Sequence, residues 1–217
     1  MAGVRAGVLI SGRGSNLQAL LDACADPAFP ARIACVISNR PDAAGLERAG
    51  RAGVPAIAID HRGRSRAEFE REVGTVLARH GVDFVCLAGF MRILTADFVL
   101  RWQGRIINIH PSLLPAFKGA DAHGQAIAAG VRLSGCTVHY VVPEMDAGPI
   151  IAQAAVPVEA GDDAASLAER VLGAEHRLYP MVLRWIAEGR ITLRDGRVEI
   201  SGARTAGGML VNPIEPT

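Results

Sequence analysis

Asn108 and His110 lie two apart in Asn108-Ile109-His110, at the end of an apolar run. In a strand that spacing sends both side chains to the same face. A lone histidine is more often structural, but one two residues from an asparagine at a strand end, titrating near neutrality, suits catalysis. Pro111 and Pro115 stiffen the segment that follows. A second segment, Ser11-Gly12-Arg13-Gly14-Ser15-Asn16, joins an apolar run to a helix-period stretch. Its glycines allow a tight turn, and the free N–H groups of a helix start favour an anion, most naturally a phosphate. The same residues would also serve as a plain strand-to-helix turn. A dinucleotide fingerprint would need a third glycine where Leu17 stands, which disfavours NAD. By turn chemistry alone, Asp146 is a loop residue in Glu144-Met145-Asp146-Ala147-Gly148-Pro149, and His139 a strand residue.

These residues need a scaffold to position them. Apolar runs at Gly7–Ile10, Ile33–Ile37, Ala56–Ile59, Phe84–Leu87 and Arg105–Ile109 alternate with helix-period segments. Ser65, with Glu68 three positions on, predicts a capping box at the start of a long helix. The alternation implies an α/β fold with a mostly parallel sheet covered on both faces. Ligands bind beyond the carboxyl ends of such strands, so the loops after Ile10, Leu87 and Ile109 should share one functional edge. Gly135–Val142 and Ile150–Val158 read as two strands joined by a loop, an antiparallel excursion, before a helix over Ala164–Ala187. Residues 1–200 are expected to form one domain, and 201–217, rich in glycine and proline, a loosely ordered tail.

Composition narrows the classes. A net charge of +1 offers no electrostatic reason to expect nucleic acid or a membrane surface as partner. Lys118 is the only lysine, so the run Arg62, Arg64, Arg66 reads by default as a solvated approach to a helix. Cys24, Cys35, Cys86 and Cys136 are scattered without metal-ligand spacing, and no metal site is expected. Reduced thiols and the absence of a signal-like segment point to the cytoplasm.

Several segments together resemble the folate-dependent glycinamide ribonucleotide formyltransferases of purine biosynthesis. They are Leu9–Leu17, Ala88–Leu94, Asn108–Pro115 continuing through Phe117, Gly119 and His123, then Gly135–Val141, and Asp146–Ile151. The resemblance implies a Rossmann-like formyltransferase fold and transfer of a formyl group from the co-substrate 10-formyltetrahydrofolate to the amine of glycinamide ribonucleotide, with no metal. It implies Asn108, His110 and Asp146 as the catalytic group. Gly14, Ser15 and Asn16 would hold the phosphate, and Glu175 would contact the ribonucleotide. Arg66 and Phe90, Met91, Arg92, Ile93 and Leu94, with Asn108, would bind the folate. In this reading Asn108 and His110 donate to the developing oxyanion, Asp146 keeps His110 charged, and Asp146 can relay the proton through water. Ala147 stands where many relatives have glycine.

Two other enzymes of similar sequence are weighed against this. The 10-formyltetrahydrofolate hydrolases carry a further amino-terminal domain, and the first strand here begins within a few residues of Met1. Methionyl-tRNA formyltransferases carry a further carboxyl-terminal domain, and the stretch after Ser201 is short. A catalytically silent nucleotide-binding protein would have lost one of the trio, and all three are present. Small-molecule substrates and a monomer or homodimer are therefore expected.

Overall fold

A computed structural model describes residues 3–204, 207–208 and 210–213. The first half alternates strand and helix: Val4–Ile10 (β1), Ser15–Cys24 (α1), Ala31–Ser38 (β2), Ala44–Arg51 (α2), Ala56–Ala58 (β3), Arg66–Arg79 (α3), Phe84–Leu87 (β4), Ala96–Arg101 (α4) and Ile106–His110 (β5). Then come Ala122–Ala128 (α5), Leu133–Tyr140 (β6), Ile150–Pro157 (β7), Ala164–Ala187 (α6), Ile191–Arg194 (β8) and Arg197–Ile200 (β9).

One sheet runs in the order β3-β2-β1-β4-β5-β6-β7. β1 through β5 pair in parallel, whereas β6 runs antiparallel to β5 and β7 antiparallel to β6. The mostly parallel sheet and its antiparallel excursion thus match the reading from sequence. Alternate residues of each strand feed two apolar layers. Val8, Ile10, Ile107, Ile109, Cys136 and Val138 pack with α1 and α6, while Leu9, Val85, Leu87 and Ile106 pack with α3 and α4. By the same alternation Asn108 and His110 fall on the α3–α4 side.

The helix starts follow local chemistry. The Ser65 hydroxyl accepts from the Glu68 amide at 3.2 Å while the Glu68 carboxylate accepts from the Ser65 amide at 2.8 Å. The Asp163 carboxylate caps α6 through Ala165 and Ser166. Four elements are absent from the sequence reading: α4, α5, and the hairpin strands β8 and β9. The two helices have only six and seven residues, too short to show a full period of apolar spacing. α4 owes its place to a buried neighbour: the Glu70 carboxylate accepts from the amide of its cap, Thr95, at 2.7 Å and from the Thr95 hydroxyl. The expected loose tail from Ser201 falls partly on residues 205–206, 209 and 214–217, outside the described residues. Within them, Asn212 donates to the Arg132 and Val158 carbonyls at 2.6 and 2.9 Å.

Candidate active site

Asn108 and His110 occupy the last turns of the pleat on β5, paired across the antiparallel ladder with His139 and Thr137 on β6. His110 is buried, 5% exposed, and its Nε2 donates to the Phe117 carbonyl at 2.9 Å. Its Nδ1 then faces the Asp146 carboxylate at 3.4 Å. Any hydrogen bond from His110 to a substrate must come from Nδ1, because the carbonyl already holds the other nitrogen. The loop between β5 and α5 is pinned so that this carbonyl stays in place. The Thr137 hydroxyl accepts from the Leu114 amide at 3.0 Å and donates to the Ser112 carbonyl at 2.7 Å.

Asp146 reaches the site from the β6–β7 loop. Its backbone is left-handed, with φ of 50°, a region Asp tolerates better than most side chains. The loop can return this tightly because Gly148 has no side chain: a Cβ there would lie 1.7 Å from the Tyr140 carbonyl oxygen. The carboxylate accepts from the Gly119 amide at 2.9 Å, and its side chain is 11% exposed. The two loops carrying Phe117 and Asp146 therefore meet over the end of β5.

Asp146 has a second histidine beside it. His139 Nε2 lies 3.7 Å from its other oxygen and 3.3 Å from the Asn108 amide nitrogen. His139 Nδ1 donates to the Tyr140 carbonyl at 2.9 Å, so its Nε2 lone pair is free to accept from Asn108. Burial holds the ring's pKa below the ordinary histidine value, the contacts to Tyr140 and Asp146 opposing it. Sequence reasoning read His139 as a strand residue. A signal for it exists: Thr137 and His139 alternate with apolar Cys136, Val138 and Tyr140, which marks one face of a buried strand as polar.

Across the carboxyl edge, Gly14 sits at the start of α1 with φ of 71°. A Cβ there would lie 2.7 Å from the Cα of Gly45, so α2 and the loop are held together by a glycine pair. No side chain caps α1, and its first amides are left for an incoming acceptor. Asn16 donates to Glu175 of α6 at 2.7 Å. Glu175 is buried, which raises its pKa above the usual carboxylate range, with the Asn16 hydrogen bond opposing the rise. The structure thus brings Gly14, Ser15, Asn16 and Glu175 together on the α1–α6 side of the edge, with Asn108, His110 and Asp146 on the other side.

The segment Phe90–Leu94 divides. Phe90 and Leu94 are buried, Phe90 stacking on Phe69 with centroids 6.2 Å apart, whereas Met91 and Ile93 are 78% and 56% exposed. The Arg92 guanidinium lies 5.0 Å from the Phe69 ring centre. Arg66 is exposed on the first turn of α3, with no ion pair among the described residues. Burial pushes the thiol of Cys136, beside the site on β6, up to about 12, which leaves it no thiolate to act as a nucleophile near neutral pH. Among the described residues no group of three or more His, Cys, Asp or Glu could hold a metal, and no helix is long and apolar enough to cross a membrane.

Residues 4–183 match the family model described as formyl transferase. The chain is 52% identical over 190 residues to the trifunctional purine biosynthetic protein adenosine-3 of Homo sapiens, covering 87% of this chain and 19% of that protein. It therefore spans about a fifth of the length of that curated relative. To the phosphoribosylglycinamide formyltransferase of Escherichia coli it is 45% identical, over 91% of this chain and 93% of the relative. The crystal structure of glycinamide ribonucleotide transformylase 1 from Symbiobacterium toebii superposes with a TM-score of 0.89 at 51% identity, covering 92% of this chain and 94% of that one. The chain belongs to the formyl transferase family, among the phosphoribosylglycinamide formyltransferases.

Proposed function

We propose that this chain transfers the formyl group of 10-formyltetrahydrofolate to the amine of N1-(5-phosphoribosyl)glycinamide, in the synthesis of purines. The observation that carries the reading is the approach of His110 Nδ1 to Asp146 at 3.4 Å, on the same carboxyl edge of the sheet as the uncapped start of α1. The amine nitrogen attacks the formyl carbon, giving a tetrahedral intermediate with its charge on oxygen. The amine gives up a proton, the bond from that carbon to N10 breaks, and N10 takes a proton. Asn108 Nδ2 and His110 Nδ1 are the donors for the oxyanion. The Phe117 carbonyl holds Nε2, so the ring presents Nδ1 toward the carboxylate and the reacting atoms. Asp146 accepts the amine's proton, directly or through water, and passes it toward N10.

In this reading Gly14, Ser15 and Asn16 hold the ribonucleotide phosphate, and Glu175 orients the glycinamide end. Exposed Met91 and Ile93, with Arg92, Arg66 and Asn108, receive the folate, while Phe90 and Leu94 support that loop from the core. Holding two substrates in register supplies much of the acceleration. Residues 1–200 form the catalytic domain. Every residue named comes from one chain, so the reading holds for a monomer or a homodimer, acting on small molecules in the cytoplasm.

The test is to mix the protein with 10-formyltetrahydrofolate and the ribonucleotide and follow tetrahydrofolate release. Release that requires the ribonucleotide, with formation of its N-formyl product, is expected. Release at the same rate without it would identify a hydrolase, and none in either mixture a silent binding protein.

A further inference from the structure

Ser11 is the first residue of the phosphate loop and is buried, 5% exposed. Its amide donates to the Gly89 carbonyl at 3.1 Å. Its hydroxyl oxygen accepts from the Met91 amide at 2.7 Å and donates to Asn39 Oδ1 at 2.6 Å. Each partner can play only one part, since an amide N–H cannot accept and a carbonyl oxygen cannot donate. The hydroxyl hydrogen is therefore fixed toward Asn39, leaving the lone pairs for Met91. Asn39 is itself buried and held in turn: its backbone carbonyl accepts from His61 Nδ1 at 2.8 Å, and its amide nitrogen lies 3.2 Å from the same ring atom. One chain of hydrogen bonds thus crosses the ends of β3, β2, β1 and β4.

We propose that Ser11 is a positioning residue that couples the two ligand loops, so that occupancy of the phosphate loop strengthens folate binding and the reverse. The proposal rests on the assignment of Ser11–Asn16 to the phosphate and Phe90–Leu94 to the folate. The side chains of Met91 and Ile93 are exposed, so little core packing holds that part of the folate loop. The Ser11 hydroxyl supplies a polar anchor at Met91, and its own position depends on the conformation of the phosphate loop. A ligand that orders one loop removes freedom from the other, and the second ligand then binds at lower cost. Coupling of this kind must be equal in both directions.

Calorimetry tests it with the whole chain and the pair tetrahydrofolate and glycinamide ribonucleotide, which cannot react because no formyl group is present. In wild type, saturating ribonucleotide is expected to tighten tetrahydrofolate binding about 5- to 10-fold, at the low end of coupling between sites. In Ser11→Ala both ligands still bind, more weakly, and the ratio falls to about 1, whereas Ser65→Ala, away from the network, keeps the wild-type ratio. Amide hydrogen exchange on wild type adds a readout that needs no variant: ribonucleotide alone should slow exchange at Met91. A wild-type ratio retained in Ser11→Ala, or Met91 exchange indifferent to ribonucleotide, overturns the proposal. Failure of wild type to bind either ligand would instead overturn the functional reading beneath it.

Discussion

On the β1–β4 side of the carboxyl edge, the loops offer backbone amides and closely packed glycines, Gly14 and Gly45, braced by the buried hydroxyl of Ser11. On the β5–β6 side, two histidines each lie within 4 Å of one carboxylate. The difference follows from strand direction. Parallel strands lead into helix starts, whose free amides suit a charge that does not change during reaction. The antiparallel ladder instead sets side chains of neighbouring strands directly opposite one another, so Asn108 meets His139 and His110 meets Thr137. Groups that must exchange protons need that side-chain proximity. Variants on the first side should therefore change substrate affinity without altering pH dependence, and variants on the second should change turnover and its pH profile.

The largest effect is expected at His110. His110→Ala removes the Nδ1 donor and should lower kcat on the order of 10²- to 10⁴-fold, the usual worth of a general acid or oxyanion donor. Steady-state kinetics at saturating substrates would measure it, and near-normal turnover would remove His110 from the chemistry. Asp146→Asn keeps the size of the side chain but loses its charge, and kcat should fall while the KM for the ribonucleotide changes little. A matching rise in KM would move Asp146 to the binding side of the comparison.

Gly14→Ala probes the other side with a smaller effect. The new Cβ would lie 2.7 Å from Gly45 Cα, at a φ of 71° that L side chains rarely adopt. Strain of about 1–3 kcal/mol at such a position would displace the loop amides, so the ribonucleotide KM should rise on the order of 10-fold. The shape of the pH profile for kcat should not move. If it does, the two sides are not separate in function.

Much of this division was legible in the sequence. The parallel half follows from apolar runs alternating with helical periods, and the pairing of Asn108 with His110 follows from a spacing of two on a strand. The Ser65 capping box was legible because capping is local chemistry. What spacing could not supply was the return of Asp146 to His110, which depends on how the β6–β7 loop closes. That closure requires Gly148 against the Tyr140 carbonyl, a contact between strands and not a feature of either one. Cross-strand register also decided the status of His139, which became part of the site only when β6 was laid against β5. The family resemblance named the trio, while the geometry added that Phe117 takes one nitrogen of His110 and that a second histidine, His139, lies beside the same carboxylate.

His139 gives the smallest effect and the sharpest view of the comparison. Burial lowers its pKa, so the ring is held neutral with Nε2 as an acceptor for Asn108. Acidification would place a proton on Nε2, opposing it to the Asn108 N–H and turning that amide away from its role as donor. The unfolded chain protonates first, near an ordinary histidine pKa of about 6.5, and the folded chain only at lower pH. The stability tied to neutral His139 is thus fully present above about pH 6.5 and is lost as pH falls from there through the folded value. His139→Gln offers Asn108 an amide oxygen that does not titrate. A neutral hydrogen bond is worth about 0.5–1.5 kcal/mol net, so turnover at pH 8 should stay within roughly threefold of wild type. At pH 5.5 the variant should keep a larger fraction of its pH 8 turnover, and of its pH 8 urea midpoint, than wild type keeps. Equal fractional losses in both proteins would show that His139 does not set the acid limit.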